Sequence, residues 1–123
     1  MRKTALVVDD SPTMRQMVAF TLTNAGFTVI EAVNGKDAVA KVAGKKMDLV
    51  VTDLNMPEMD GITLIRELRK TPDFRYTPIL MLTTESAIEK KMQGKEAGAT
   101  GWIVKPFNPD VLLKTIAKIL PTV

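Results

Sequence analysis

The sequence predicts an α/β fold of five strand–helix units, (βα)5, with an open parallel sheet covered by helices on both faces. Three observations predict it. Five short aliphatic runs recur along the chain, helical patterns lie between them, and two of those helical stretches open with a cap residue followed by proline. Unbroken runs rich in Val, Ile and Leu suit strands buried on both sides. Right-handed crossovers then distribute the helices over both faces of the sheet. A length of 123 residues suits one core, and a closed eight-stranded barrel would need about twice as much chain. The expectation is a single domain over 1–123 with no output domain attached.

The first strand is Ala5-Leu6-Val7-Val8, ended by acids. A weaker second strand contains Val29-Ile30, and the third is Leu49-Val50-Val51. Ile79-Leu80-Met81-Leu82 forms the fourth and Trp102-Ile103-Val104 the fifth. Ser11-Pro12 starts the first helix, since a hydroxyl can cap it and proline suits the first turn. Met14, Met17, Val18, Thr21, Leu22 and Ala25 are expected on its inner face, and Gly26 ends it. The second helix is expected from about Lys36 to Ala43, with Ala38, Val39 and Val42 inward. The third runs from about Ile62 to Arg69, with Ile65 and Leu68 inward, and Asp60-Gly61 reads as its cap. The fourth, about Ala87 to Ala97, is the poorest. Its apolar stripe is little more than Ile88 and Met92, and Gly94 inside it costs about 1 kcal/mol against alanine. It reads as a marginal element able to shift. Asn108-Pro109-Asp110 opens the fifth, which should bury Val111, Leu112, Thr115, Ile116 and Ile119.

Composition removes several chemistries. Apolar residues at 46% and charged residues at 25% describe a globular chain. No apolar run approaches the roughly 20 residues of a membrane span, and the N-terminus lacks the form of a secretory signal, so the expected compartment is the cytoplasm. The chain has no cysteine and no histidine. Disulfides, thiolate zinc sites and imidazole ligands are excluded, and any metal must be held by oxygen, as Mg²⁺ or Ca²⁺ is. The net charge is +3, but the basic residues are spread out and not interleaved with aromatics. A nucleic-acid surface is therefore not expected.

In open α/β sheets, ligands bind beyond the carboxyl ends of the strands. Asp9 and Asp10 follow the first strand, Asp53 the third, Thr83 and Thr84 the fourth, and Lys105-Pro106 the fifth. Only Ala32, Val33 and Asn34 follow the second. Three clustered carboxylates repel one another unless a cation joins them. Mg²⁺ suits such a set and keeps positions open for water and a phosphate oxygen. Lys105 on the same rim can act as a point charge. With no histidine or cysteine available, a carboxylate is the best nucleophile, and Asp53 is the central one. An acyl phosphate on Asp53 is the simplest reading.

These residues resemble the receiver domains of two-component response regulators, and the resemblance covers the whole chain. It is carried by Val8-Asp9-Asp10-Ser11, by Asp53-Leu54-Asn55-Met56-Pro57 with Asp60-Gly61, by Thr83, and by Lys105-Pro106-Phe107. The single-domain chemotaxis members look most similar. The resemblance implies a flavodoxin-like sheet in the order 2-1-3-4-5. It implies that Asp53 accepts a phosphoryl group from a phosphohistidine of a partner kinase. Asp9 and Asp10 would hold Mg²⁺ with Asp53 and the backbone carbonyl of Asn55. Lys105 would pair with the phosphoryl group, and Thr83 would move toward it. Trp102 would be the aromatic switch residue, Asn55 and Glu85 would tune phosphoryl lifetime, and the bond before Pro106 would be cis.

The implied partners are a histidine kinase of the chemotaxis type and a target protein on the face made by the fourth helix, fifth strand and fifth helix. That target would be a flagellar motor switch. A phosphatase could act on the product. The implied protein is a monomeric signalling switch rather than an enzyme, catalysing only its own phosphotransfer and dephosphorylation. A relay intermediate or phosphate sink is the alternative. An aspartyl-phosphate phosphohydrolase fits less well, because Asn55 stands where such enzymes carry a second acid and no cap segment exists. One departure is Trp102 itself, where tyrosine or phenylalanine is more usual.

Overall fold

The computed structural model describes residues 3–84, 88–105 and 108–120. Strands and helices alternate as β1 (Thr4–Val8), α1 (Pro12–Asn24), β2 (Thr28–Ala32), α2 (Gly35–Val42), β3 (Leu49–Asp53), α3 (Gly61–Lys70), β4 (Ile79–Thr83), α4 (Ile88–Ala97), β5 (Gly101–Val104) and α5 (Pro109–Ile119). The sheet is parallel, in the order β2-β1-β3-β4-β5. This is the flavodoxin-like order expected above. The chain reverses direction across the sheet between β1 and β3, so their carboxyl ends border the crevice where such folds bind ligands. Among the described residues, no helix is long and apolar enough to cross a membrane.

Strand alternation divides the core into two layers. Leu6, Val8, Val50, Ile79 and Met81 join Ala38, Leu64, Ile65 and Ala97 on the side of α2, α3 and α4. Ala5, Val7, Leu49, Val51, Leu80 and Leu82 join Val18, Leu22, Leu112 and Ile116 on the side of α1 and α5. The helix starts are capped as their residue types allow. Ser11 Oγ accepts from Met14 N at 3.3 Å, Asp60 Oδ1 from Thr63 N at 2.8 Å, and Asn108 Oδ1 from Asp110 N at 2.8 Å. Gly26 follows α1 with φ +99°, a left-handed conformation that suits glycine.

Several inward assignments need correction. Met17, Ala25, Val39 and Val111 are exposed, while Ala19 is buried. Each helix lays only a narrow stripe on the sheet, and a residue next to a buried one is turned about 100° away from it. Asp53 and Thr83 are the last residues of β3 and β4 rather than the residues after them. The largest correction concerns α4. Ile88 and Met92 are 74% and 56% exposed, and the residues buried on this helix are Gly94 and Ala97. A Cβ on Gly94 would lie 2.6 Å from the methyl of buried Met81 on β4. Gly94 is therefore where the helix approaches the sheet most closely.

The start of α3 meets the end of β3 in the same way. Gly61 N donates to the Leu54 carbonyl at 2.8 Å, and a Cβ on Gly61 would collide with the backbone carbonyl of Asp53. Backbone cannot rotate aside as a side chain can. Gly61→Ala is expected to destabilise the fold by about 1–3 kcal/mol. Urea unfolding would show it as a lower midpoint at unchanged slope.

Candidate functional site

The register brings the polar strand ends together. Val8 pairs with Thr52, so Asp9 and Asp53 come next on adjacent strands. Asp53 pairs with Leu82, and Thr83 with Val104. The Lys105 N–H donates to the Thr83 carbonyl at 2.8 Å, which carries the ladder one residue beyond β5. Asp9, Asp53 and Thr83 are buried, while Asp10 is exposed.

Lys105 reaches back across the edge of the sheet. Its Nζ donates to Asp53 Oδ1 at 2.9 Å and to Asp9 Oδ2 at 3.3 Å. Asp53 Oδ1 also accepts from Leu54 N at 2.9 Å. Asp9 Oδ1 accepts from Ser11 N at 2.9 Å, so Asp9 rather than Asp10 takes a backbone N–H at the entrance of α1. Arg15 Nη1 holds the Asp9 carbonyl at 2.9 Å, and its Nε pairs with Glu31 at 3.2 Å. Carboxylate oxygens of Asp9, Asp10 and Asp53 lie within 4.8 Å of one another.

The electrostatics of the Asp53–Lys105 pair are uneven. Burial pushes the Asp53 carboxyl above its ordinary value of 3.8. The Lys105 hydrogen bond opposes this, the charge of Asp9 adds to it, and the net direction is upward. Burial also works against the Lys105 ammonium. The hydrogen bond and charge of Asp53, with the charge of Asp9, together outweigh it and raise the Lys105 pKa. Two carboxylates thus share one ammonium, which keeps its charge. An all-oxygen, net-negative donor set of this kind fits a small hard divalent cation.

The structure therefore brings Asp9, Asp10, Asp53 and Lys105 into one cluster, with Thr83 on the strand between β3 and β5. Asn55 is exposed in the loop that follows β3. Trp102 stands apart. It pairs with Met81 rather than Thr83 in the β4–β5 register, and the residue is 38% exposed at the sheet edge beside α4. Glu85 and Pro106 lie outside the described residues. Three residues around the cluster were missed or under-read in the sequence. Arg15 carries no motif that marks it, and Gly61 reads as part of a cap although its bare Cα matters as much. Glu58 reads as solvated loop, yet it adopts φ +72°, a strained conformation for a side-chain-bearing residue, in the loop behind Asp53.

Because the folded pKa of Asp53 is raised, its favourable contribution is complete below the unfolded pKa and is lost as pH rises through the folded value. Ionised Asp53 therefore costs stability at neutral pH. Asp53→Asn is expected to melt a few degrees higher than the parent at neutral pH, with the difference closing toward about pH 4. Thermal unfolding followed by circular dichroism across that range checks it.

Comparison with known proteins agrees with this geometry. Residues 5–117 match the response regulator receiver domain. The chemotaxis protein CheY1 of Helicobacter pylori is 40% identical over 119 residues, covering 95% of this chain and 96% of that protein. CheY of Pseudomonas aeruginosa is 39% identical over 119 residues, 96% of each. The crystal structure of the Vibrio cholerae chemotaxis protein CheY4 superposes with a TM-score of 0.94 at 48% identity, covering 98% of this chain and 100% of that one.

Proposed function

Since this chain belongs to the response regulator receiver domains, we propose that it is a phosphorylation-driven signalling switch whose acceptor is Asp53. The observation that carries this reading is the buried carboxylate of Asp53, 2.9 Å from Lys105 Nζ, inside a cluster of three acids. A nucleophilic carboxylate needs a neighbouring cation to receive the charge of the incoming phosphoryl group, and here that cation is already positioned.

In the proposed reaction an Asp53 carboxylate oxygen attacks the phosphorus of a phosphohistidine on a kinase. The P–O bond forms as the P–N bond breaks, and the electron pair leaves with the imidazole. Lys105 transfers part of its hydrogen bonding from Asp53 to a phosphoryl oxygen. Asp9, anchored by Ser11 N and Arg15, keeps the rim acidic and in register. Asp10, exposed at the mouth, faces the approaching donor. Asp9, Asp10, Asp53 and the backbone carbonyl of Asn55 would hold Mg²⁺, which when bound neutralises phosphoryl charge. Thr83, at the end of β4, is placed to follow the phosphoryl group and carry the change toward β5 and Trp102, while Asn55 tunes its lifetime.

The output is binding of a target at the α4–β5–α5 face by the phosphorylated form. The chemotaxis names of the relatives above support a flagellar motor switch as that target and a chemotaxis-type histidine kinase as the donor. We read the protein as a cytoplasmic monomer.

With Mg²⁺ and acetyl phosphate, the protein is expected to gain the mass of one phosphoryl group. Asp53→Ala should gain none, and chelation of the metal should suppress labelling of the parent. Equal labelling of Asp53→Ala would remove Asp53 as the acceptor. A pull-down with beryllofluoride-treated protein separates the outputs. Retention of a motor switch protein only by the treated form supports the chemotaxis role. Capture of only a kinase or phosphotransfer protein, equally with and without treatment, supports a relay or sink.

A further inference from the structure

Lys91 of α4 stands over the ring of Trp102, its Nζ 5.2 Å from the ring centroid. The packing of α4 explains why. Gly94 is the point at which the helix touches Met81, and Met81 is the register partner of Trp102 on β5. Lys91 lies one helical turn before Gly94 and so shares its side of the helix. The aliphatic stem of a lysine there runs along the sheet edge, and its ammonium arrives above the neighbouring side chain. Lys91 is half-buried, and with Ile88, Met92, Lys95 and Trp102 it lines a groove of about 300 Å³. Indole presents the strongest quadrupole of the aromatic side chains, so its outward position is held by attraction as well as by space.

We propose that Lys91 is an electrostatic latch that holds Trp102 in its outward position and so sets the threshold for switching. This rests on the switch proposed above, and takes the change that Thr83 carries to Trp102 to be an inward turn of the ring on phosphorylation of Asp53. An inward ring leaves the ammonium behind, and the attraction is lost in the active state only. A contact made in one of two states shifts the balance between them by its full free energy. The latch therefore stabilises the resting form without touching the phosphorylation chemistry.

Trp102 is the single tryptophan of the chain, so indole emission reports on this residue alone. The experiment titrates beryllofluoride in saturating Mg²⁺ and follows that emission in the parent, Lys91→Met, Lys91→Arg and Lys90→Met. Methionine keeps the stem and removes the charge, and arginine keeps the charge. Lys90→Met removes the same charge from an exposed neighbour that faces α3 rather than the ring. The half-saturating concentration is expected to fall about 2- to 5-fold in Lys91→Met, and to stay near the parent value in Lys91→Arg and Lys90→Met. An unchanged midpoint in Lys91→Met, with a normal spectral response, overturns the latch alone. An equal fall in Lys90→Met also overturns it, because net charge would then be the cause. Absence of any emission change in the parent, with Asp53 still labelled by acetyl phosphate, overturns the latch through failure of the parent reading of Trp102. Thermal melts of each variant confirm that the fold is intact.

Discussion

Two buried carboxylates at the carboxyl edge of the sheet share a single ammonium, and much of this molecule is arranged around that imbalance. Lys105 spans from β5 to Asp53 on β3 and Asp9 beyond β1, joining three strands of the sheet with one side chain. Burial disfavours the charge of Asp53, and pairing offsets this only in part, since its carboxyl remains shifted toward the protonated form, whereas for Lys105 the pairing outweighs burial. A fold built for stability alone would place neutral groups there. Keeping the charges makes the edge receptive to a divalent cation, which would relieve the repulsion between the carboxylates.

Close backbone approaches hold this edge in place. Gly61 allows α3 to abut the backbone of Asp53 directly, and Gly35 lies so near Met59 that a Cβ would meet it at 2.8 Å. The loop between β3 and α3 thus meets the start of each of α2 and α3 closely, and within it Glu58 adopts φ +72°. Arg15 secures the other side through the Asp9 carbonyl. Asp53 is thus flanked by close backbone contacts, which suits the phosphoacceptor role proposed for it.

The opposite end of the machinery is built differently. α4 is attached through small residues, Gly94 and Ala97, while its larger apolar side chains point outward. At its carboxyl end Arg69 of α3 donates to the Gly98 carbonyl at 2.8 and 3.1 Å, and also to the carbonyls of Phe74 and Arg75. The helix is secured at its end and presents a lightly packed amino-terminal half beside Trp102. That distribution of contacts suits an element whose position reports on the site without being part of it.

The strands, the helix starts and the gathering of Asp9, Asp10, Asp53, Thr83 and Lys105 were legible from the sequence. Those features depend on local chemistry: aliphatic runs, cap residues, and the rule that parallel strands expose their carboxyl ends together. Which residues of each helix turn inward was read less well, because the edges of a buried stripe are decided by the partner surface rather than by periodicity. Met17, Val39 and Val111 follow the apolar pattern and still face water. Gly94 reads as a defect in an isolated helix and is a packing contact in the folded one. The anchoring of Asp9 by Arg15, the uneven sharing of Lys105 and the placement of Lys91 over Trp102 belong to the tertiary structure alone. Each joins side chains from different elements, and their distances are set by register and helix docking, which no local pattern in the chain records.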